Sequence, residues 1–364
     1  MLNTIFVLKI SKLLTFFVCG LILTRDGKSK KVIHTLCTSF EHYKLKMEHV
    51  PVLKETVYEY LDLKKGDVVV DATLGLGGHA KGMLEKIGKK GVLIGLDQDE
   101  RNLEEAKKRL EGASGGKNII LVNDNFRYLK NRAEETGFKE VDAVLFDLGI
   151  SSPHVDDSER GFSFMRDGPL DMRFSLSQKL TAWDVVNSYP ENELANVIFQ
   201  YGEERASRRI ARKICEYRKN KKFEGTAELG EFIKRVIPDM SKHGKRGVHH
   251  PATKTFQAIR IEVNDELNAL KEGLNGSMSL LKIGGKIVVI SYHSLEDRIV
   301  KHFFKELSRS CVCPPEVLVC QCRGAPVVEI LTKKPVFPTD EEIAENPRAR
   351  SAKLRAVKKL TSFS

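Results

Sequence analysis

Short apolar runs alternate with segments of helical spacing from residue 68 onward. Single helices between strands predict βαβ units, hence an α/β fold with a mainly parallel sheet. The intervening segments 80–87, 100–110 and 129–136 are each followed by a glycine that can end a helix. Four runs, each followed by Asp or Asn, are typical of buried strands: Val68–Val70, Val92–Leu96, Ile119–Val122 and Val141–Phe146.

The α/β alternation stops near residue 156. A long helix within Pro251–Leu281 and a strand at Lys286–Tyr292 resume it, and we expect Ser294 to cap the next helix with Asp297 in the reciprocal capping-box position. The intervening segment carries four predicted helices: Ala182–Val186, Glu191–Tyr201, Glu203–Lys219 and Thr226–Ile237. The pattern thus predicts four parts: an N-terminal extension at 1–46, a first core part at 47–156, an inserted helical domain at 157–248, and a second core part with a basic C-terminal segment at 249–364.

Residues 1–46 differ in character from the rest of the chain. Leu13–Leu23 is apolar but too short to span a bilayer, which needs about 20 residues. Lys9 and Lys12 precede it as in a secretory signal, yet no A-x-A cleavage site follows. We interpret the segment as an extension translated from an upstream start, or as a leader, with Met47 opening the core.

The amino-acid composition is that of a globular protein with a net positive charge. The 364 residues are 41% hydrophobic and 30% charged, which excludes a disordered chain. With 60 Lys and Arg against 49 Asp and Glu, the net charge is +11 and favours a polyanionic partner such as nucleic acid. Seven cysteines in a chain of this length do not form a disulfide scaffold, so we expect a reducing compartment.

A glycine turn follows the first predicted strand. Gly75-x-Gly77-x-x-Ala80 fits the fingerprint of dinucleotide sites, and Asp97 stands where an acid accepts ribose hydroxyls. Asp71, directly before the turn, would repel a pyrophosphate but suits the cationic amino group of S-adenosylmethionine. An NAD-dependent oxidoreductase is therefore the disfavoured alternative. The simplest alternative is that Asp71 and Asp97 are only polar residues at strand ends.

In a parallel sheet the ligand lies beyond the carboxyl ends of the strands, where Asp71, Asp97, Phe126 and Asp147 all fall. Phe126 either flanks an adenine or anchors its loop. The stretch Asp147–His154, DLGISSPH, occupies the place of a methyltransferase catalytic loop. The amine of a nucleobase is a poor nucleophile, and Asp147 is the natural acceptor for its hydrogen.

One proline and two histidines are further candidates for this site. Pro153 stiffens the loop beside a flat base. His154 either bonds a cofactor or is an exposed loop histidine. His293, at the end of the strand Lys286–Tyr292, serves the same site or is a satisfied strand-end residue.

Seven motifs in order resemble one family: DATLGLGGHA, GLDQD, DLGISSPHVDDSERGFSF, GPLDMR, HPATKTFQAIRI, SYHSLEDRIVK and NPRARSAKLR. From Met47 to about Val357 the chain is similar to the bacterial 16S rRNA (cytosine-N4)-methyltransferase family, RsmH or MraW. The resemblance implies a class I, Rossmann-like S-adenosylmethionine-dependent methyltransferase that modifies the N4 amino group of a cytidine in the decoding region. It implies the 16S rRNA or small ribosomal subunit as partner and a cytoplasmic location, with no DNA and no membrane; a homodimer stays open.

The resemblance also assigns residues. Some members have glutamine where His154 stands, so the chain departs from the family pattern at this position. The matching cofactor-binding positions are Gly77, Gly78, His79, Asp97, Phe126, Asp147 and His154. The residues expected to present the amine are Asp147, Ser151, Ser152 and Pro153.

Two further alternatives stay open. A DNA amino-methyltransferase is disfavoured because SSPH departs from the (D/N/S)PP(Y/F/W) signature of those enzymes. A ribosome-assembly factor that binds RNA without catalysis is disfavoured because Asp97, Asp147 and the glycines are intact.

Two stretches of the insertion suggest contacts with RNA. In Glu159–Arg173, the arginines Arg160, Arg166 and Arg173 would grip phosphates while Phe162 and Phe164 stack on bases, unless this is a salt-bridged loop with buried phenylalanines. Between Arg205 and Lys222, basic residues face away from an apolar stripe, as in an RNA-backbone surface or an ordinary solvated face.

Cys311, Cys313, Cys320 and Cys322 form a C-x-C-x6-C-x-C cluster. Four thiolates can bind zinc, but C-x-C pairs are unusual in structural zinc sites. We predict no metal site and interpret the cluster as a reduced loop, with zinc as the alternative.

Overall fold

The computed structural model describes residues 51–114, 118–237, 250–311, 313 and 324–363. The predicted extension at 1–46 lies outside these residues, as do Cys320 and Cys322, so the extension and the zinc alternative stay predictions. Within the described ranges, no helix combines the length and apolar character needed to cross a lipid bilayer.

One sheet organises the described part of the chain. Its order is β3-β2-β1-β4-β5-β7-β6, in which β1 to β5 pair in parallel and β7 runs antiparallel to both neighbours. The predicted mainly parallel sheet is confirmed. The strands are β1 Val68–Asp71, β2 Val92–Asp97, β3 Ile119–Asn123, β4 Val141–Asp147, β5 Leu281–Ser291, β6 Val328–Ile330 and β7 Lys353–Lys359.

Helices connect the strands as the spacing predicts. Gly77, with a φ of 78°, lies in the left-handed region that favours glycine and precedes the helix after β1. The helices are α1 Lys54–Leu61, α2 Gly78–Ile87, α3 Glu100–Ser114, α4 Leu129–Glu135, α5 Ser152–Asp156, α6 Ala182–Ser188, α7 Glu191–Gly202, α8 Ser207–Tyr217, α9 Thr226–Val236, α10 Thr253–Asn264, α11 Glu266–Leu280, α12 Ser294–Leu307 and α13 Asp340–Glu345.

Both faces of the sheet are covered by apolar packing. Successive residues of β1 point to opposite faces, so Val69 joins a cluster with α1 to α3 and Val70 joins one with α4 and α11. Because every central strand is buried on two sides, the strands read as continuous apolar runs in the sequence.

The helical segment has its own hydrophobic core. Leu194, Ile210 and Leu229, from α7, α8 and α9, are fully buried in it. Phe256 and Ile259 of α10 join this core, although the sequence placed residues 249 onward in the second core part. The division at 157–248 stays a prediction, and α10 packs with the helical segment.

The single long helix predicted within Pro251–Leu281 is wrong. Asp265 is in the left-handed region, with a φ of 48°, and separates α10 from α11. α10 packs into the core of the helical segment, whereas Leu270 and Leu274 of α11 pack on the sheet. The break lets one continuous apolar pattern serve two cores.

The predicted cap of α12 is also wrong. His293, not Ser294, is the N-cap: its Nδ1 accepts the Glu296 backbone N–H at 3.4 Å, and Glu296 Oε2 accepts the His293 N–H at 3.2 Å. Asp297 pairs with Arg355 of β7 at 2.7 Å instead. β5 likewise begins at Leu281, earlier than the predicted Lys286.

Candidate active site

A pocket of about 740 Å³, open to solvent, lies at the carboxyl ends of β1, β2, β3 and β4. Asp97, Phe126, Asp147, Ser151 and His154, five of the predicted site residues, line it. Four strand ends therefore meet in one crevice, as the sequence predicts.

The glycine turn after β1 is held in place by contacts with the end of β2 and with the segment before α1. Gly75 has a φ of 53° and donates its N–H to Asp97 Oδ2 at 2.8 Å, which ties the turn to the end of β2. A Cβ on Gly78 would lie 2.8 Å from Pro51 Cγ, so a side chain there would displace the segment before α1. Gly77, Gly78 and His79 shape this turn but do not line the pocket, and their predicted cofactor contacts stay predictions.

Asp97 is held as an acceptor at the pocket wall. Besides the Gly75 N–H, it accepts the Asp99 N–H at 2.8 Å on Oδ1 and lies 3.3 Å from Asn102 Nδ2. Burial raises the pKa of its carboxyl, while these hydrogen bonds favour the ionised form.

Asp71 lies beneath the turn rather than on the pocket wall. It is 1% exposed, and its Oδ1 accepts the Thr73 N–H at 3.2 Å. Burial raises the pKa of Asp71 to about 7, against the opposing influence of His79. Because Asp71 is buried and does not line the pocket, its contact with a cationic ligand, which the sequence suggests, stays a prediction.

Asp147 is fixed through one carboxylate oxygen, Oδ1, and through its backbone N–H. The hydroxyl of Tyr292 donates to Oδ1 at 2.8 Å, and His79 Nε2 lies 3.5 Å from Oδ2. Its own N–H donates to Thr73 Oγ1 at 2.6 Å. His79 is 6% exposed and neither of its ring nitrogens has a hydrogen-bond partner among the described residues. Tyr292 is a residue that the sequence reasoning did not single out; its place directly after β5 was the available signal.

The SSPH loop, residues 151–154, turns directly into α5, with Pro153 in the first turn. Ser151 Oγ lies 2.8 Å from His154 Nδ1, and His154 Nε2 lies 2.8 Å from Asp99 Oδ2. His154 is buried, so the alternative of an exposed loop histidine is wrong. The catalytic roles assigned to Ser151, Ser152 and Pro153 stay predictions.

The loop Glu159–Arg173 is internally bonded, as the salt-bridged alternative predicts. Arg160 is 3% exposed and donates to Asp99 Oδ2 at 2.6 Å, so its predicted grip on phosphate is wrong. Arg173 is held by Asp171 at 2.7 Å.

The two phenylalanines of this loop are partly buried against the core of the helical segment. Phe162 stacks on Phe174 with ring centres 5.2 Å apart, and Phe164 packs against Phe256 at 4.8 Å. This packing agrees with the alternative of buried phenylalanines, and their stacking on bases stays a prediction; Arg166 is exposed.

Glu266, His293 and Glu296 bring potential ligand atoms within 4.8 Å of one another beside the pocket. Both oxygens of Glu266 are engaged by Arg260, at 2.7 and 2.8 Å. His293 Nδ1 accepts a backbone N–H, so the neutral ring carries its proton on Nε2 and offers no lone pair to a metal. Glu266 of α11 and Glu296 of α12 therefore place two carboxyl groups on the pocket wall, which the sequence reasoning missed because two different helices supply them.

The strand order, the antiparallel β7 and the pocket at the carboxyl strand ends define a class I methyltransferase. A family model of the MraW methylases matches residues 46–360. The chain belongs to the MraW methylase family.

Curated relatives agree with this assignment. "Ribosomal RNA small subunit methyltransferase H" of Carboxydothermus hydrogenoformans is 49% identical over 87% of this chain and 99% of its own length. The protein of the same name from Brevibacillus brevis is 45% identical over 87% and 99%. The family resemblance drawn from the seven motifs is confirmed.

Solved structures also align with the chain. An rRNA methylase from Streptococcus thermophilus aligns over 84% of this chain and 95% of its own at 12% identity and a TM-score of 0.37. A SAM-dependent O-methyltransferase from Thermotoga maritima covers 85% and 66% at 11% identity and the same TM-score. The fold assignment rests on the strand order and not on these alignments.

Proposed function

We propose that this protein transfers a methyl group from S-adenosylmethionine to the N4 amino group of a cytidine in 16S rRNA, acting in the cytoplasm on the small ribosomal subunit. The observation that carries the proposal is Asp147, a fixed carboxylate on the wall of a pocket at the strand ends of an MraW-family chain. The names of the relatives support the ribosomal substrate.

The pocket suits this cofactor on two counts. Asp97 offers carboxylate acceptors for ribose hydroxyls, and Phe126 offers an aromatic wall for adenine. The ring of Phe126 packs closely against Gly273 of α11. A Cβ at Gly273 would lie only 2.8 Å from the ring, so the absence of a side chain there makes room for it. When bound, the cofactor supplies an electrophilic methyl group. We assign Gly77, Gly78 and His79 to the turn beneath it, with His154 beside it.

Asp147 has the properties that an amine acceptor needs. A cytosine amine donates its lone pair into the ring, and a carboxylate that accepts its hydrogen restores nucleophilicity during transfer. Tyr292 occupies Oδ1, which leaves Oδ2 as the oxygen available to the amine. Glu296 adds negative charge to the same pocket and suits an amine that becomes cationic, whereas the charge of Glu266 is balanced by Arg260. We assign Ser151, Ser152 and Pro153 to positioning of the base.

The helical segment supplies a basic surface for RNA. We define the basic face by exposed residues of α8 and of the turns before and after it, which oppose the buried Ile210 and Ile214. We propose that it contacts the rRNA backbone and that 157–248 acts as the substrate-recognition domain. The residues of the basic face are Arg205, Arg208, Arg209, Arg212, Lys213, Lys219, Lys221 and Lys222.

Transfer of labelled methyl to three acceptors tests the proposal: small subunits lacking the modification, free 16S rRNA and duplex DNA. We expect label in the ribosomal RNA, and mass analysis of the nucleosides should identify N4-methylcytidine. Label only in DNA would establish a DNA amino-methyltransferase. Cofactor binding without label in any acceptor would contradict the proposed activity on these acceptors and favour an assembly factor or a missing partner.

A further inference from the structure

A buried network joins the end of β2 to the SSPH loop. His154 lies between two partners, with Nε2 at 2.8 Å from Asp99 Oδ2 and Nδ1 at 2.8 Å from Ser151 Oγ. Arg160 donates to the same oxygen of Asp99 at 2.6 Å. Asp99, His154 and Arg160 are buried, whereas Ser151 lines the pocket. We call Asp99, His154 and Ser151 the serine network.

The direction of each hydrogen bond in the serine network follows from Asp99. Burial would raise the pKa of Asp99, but the hydrogen bonds from His154 and from the Arg101 N–H outweigh it and lower the pKa. An ionised carboxylate only accepts, so Nε2 of His154 carries the proton. In the neutral ring Nδ1 is then the acceptor, and Ser151 donates its hydroxyl hydrogen to it.

The oxygen of Ser151 is thereby left as an acceptor. Asn102 Nδ2 lies 3.3 Å from Ser151 Oγ and 3.3 Å from Asp97 Oδ1, so its two hydrogens serve these two oxygens. A hydroxyl oxygen has two lone pairs, and only one faces Asn102. Two acceptors, Ser151 and Asp97, therefore stand on either side of one amide at the pocket wall.

We propose that Ser151 accepts a hydrogen bond from a ribose hydroxyl of a bound ligand, and that Asp99 and His154 are positioning residues that fix Ser151 in this acceptor role. Adjacent acceptors match the adjacent hydroxyls of a ribose. The inference rests on the proposed function, because that function brings two riboses to the pocket: that of the cofactor and that of the target nucleotide. The proximity of Asp97 favours the cofactor.

Calorimetric titration with S-adenosylhomocysteine and its 2′-deoxy and 3′-deoxy analogues tests the contact in the full-length protein. For the wild type we expect the analogue that lacks the hydroxyl bound by Ser151 to bind about three- to tenfold more weakly than the parent compound. In Ser151→Ala this difference should vanish. If the target nucleotide supplies the hydroxyl, Ser151→Ala instead removes the rate difference between RNA acceptors carrying cytidine and 2′-deoxycytidine at the target position.

Two substitutions of His154 test the positioning role. Glutamine offers both an N–H and a carbonyl oxygen and can bridge Asp99 and Ser151, whereas leucine can do neither. His154→Gln should keep the discrimination between the ribose and deoxyribose forms, and His154→Leu should lose it although Ser151 is present. A purely structural role would weaken binding of all three compounds by the same factor, with discrimination unchanged.

The outcomes separate this inference from the proposed function. Binding of the three compounds with wild-type discrimination in Ser151→Ala, together with unchanged discrimination between the two RNA acceptors, would overturn the inference alone. No binding of S-adenosylhomocysteine by the wild type would overturn the proposed cofactor and the inference with it. If the wild type discriminates between S-adenosylhomocysteine and its deoxy analogues but does not methylate rRNA, the inference is supported and the proposed substrate is contradicted.

Discussion

The hydroxyl of Tyr292 donates a hydrogen bond to Asp147 Oδ1 at 2.8 Å. The two residues come from neighbouring strands, since Asp147 ends β4 and Tyr292 directly follows β5. Burial raises the pKa of Tyr292 well above its usual value, and the charge of Asp147 adds to the effect, so the phenol stays a donor. The carboxylate is therefore fixed before any ligand arrives.

Loss of this hydroxyl should slow methyl transfer. Tyr292→Phe keeps the ring that packs at Gly149 but frees Oδ1, and we expect about a tenfold lower rate at saturating cofactor, equivalent to one hydrogen bond. Single-turnover transfer to the ribosomal substrate measures this rate. Tyr60→Phe, at a partly buried position of α1 that packs against the core, is the matched control, and an equal rate loss in both variants would argue against the role of Tyr292.

Charge reversal on the basic face should weaken RNA binding. Arg208→Glu with Arg209→Glu removes two exposed cations of α8, and we expect at least tenfold lower affinity at low salt with a salt slope smaller by about 1 to 2. The control Lys107→Glu with Lys108→Glu makes the same charge change on α3. Filter binding across a salt series compares the two double variants. Equal losses of affinity in both would show that the net charge, and not the basic face, determines RNA binding.

Asp71 should make the stability of the protein depend on pH. The folded protein keeps its proton up to about pH 7, whereas the unfolded chain releases it near the ordinary value of 3.8. The folded state binds more protons in this window, so the free energy of unfolding falls as pH rises through it, by up to about 4 kcal/mol. Denaturant unfolding measures this fall.

Asp71→Asn should remove that fall, because the amide does not titrate. The exposed Asp340→Asn serves as control and should keep the wild-type pH dependence. A wild-type slope in Asp71→Asn would show that other groups cause the pH dependence.

Lys359 stabilises the end of α11. Its buried ammonium donates to the carbonyl oxygens of Met278 at 2.8 Å and Leu281 at 2.6 Å. Lys359→Met leaves both carbonyls without this donor and should lower the free energy of unfolding by about 1 to 2 kcal/mol. Lys358→Met, at the adjacent and less buried position of β7, should change it by less than about 0.5 kcal/mol. Equal effects would contradict the capping role.

The sheet was predictable because burial on two faces leaves continuous apolar runs such as Val92–Leu96. The break at Asp265 was not, since residues on both sides have helical spacing and only their packing into two different cores ends α10 there. The cap of α12 was misplaced by one residue because a histidine replaces the usual hydroxyl or carboxylate cap.

The candidate site shows the same limit. The acids at the strand ends, Asp97 and Asp147, could be placed from topology alone. Arg160 could not, because whether an arginine meets phosphate or a buried carboxylate depends on a contact with Asp99 that is 61 positions away. Tyr292 was missed for a similar reason, as its partner Asp147 is 145 positions away.

The most direct test of the account is single-turnover methyl transfer by Asp147→Asn at saturating cofactor, read out as N4-methylcytidine in 16S rRNA. The amide preserves the shape of the side chain but is a poor acceptor for the proton of the amine. We predict a rate at least about 100-fold below the wild type, with Asp340→Asn unchanged. A wild-type rate and product in Asp147→Asn would contradict the central role of this carboxylate.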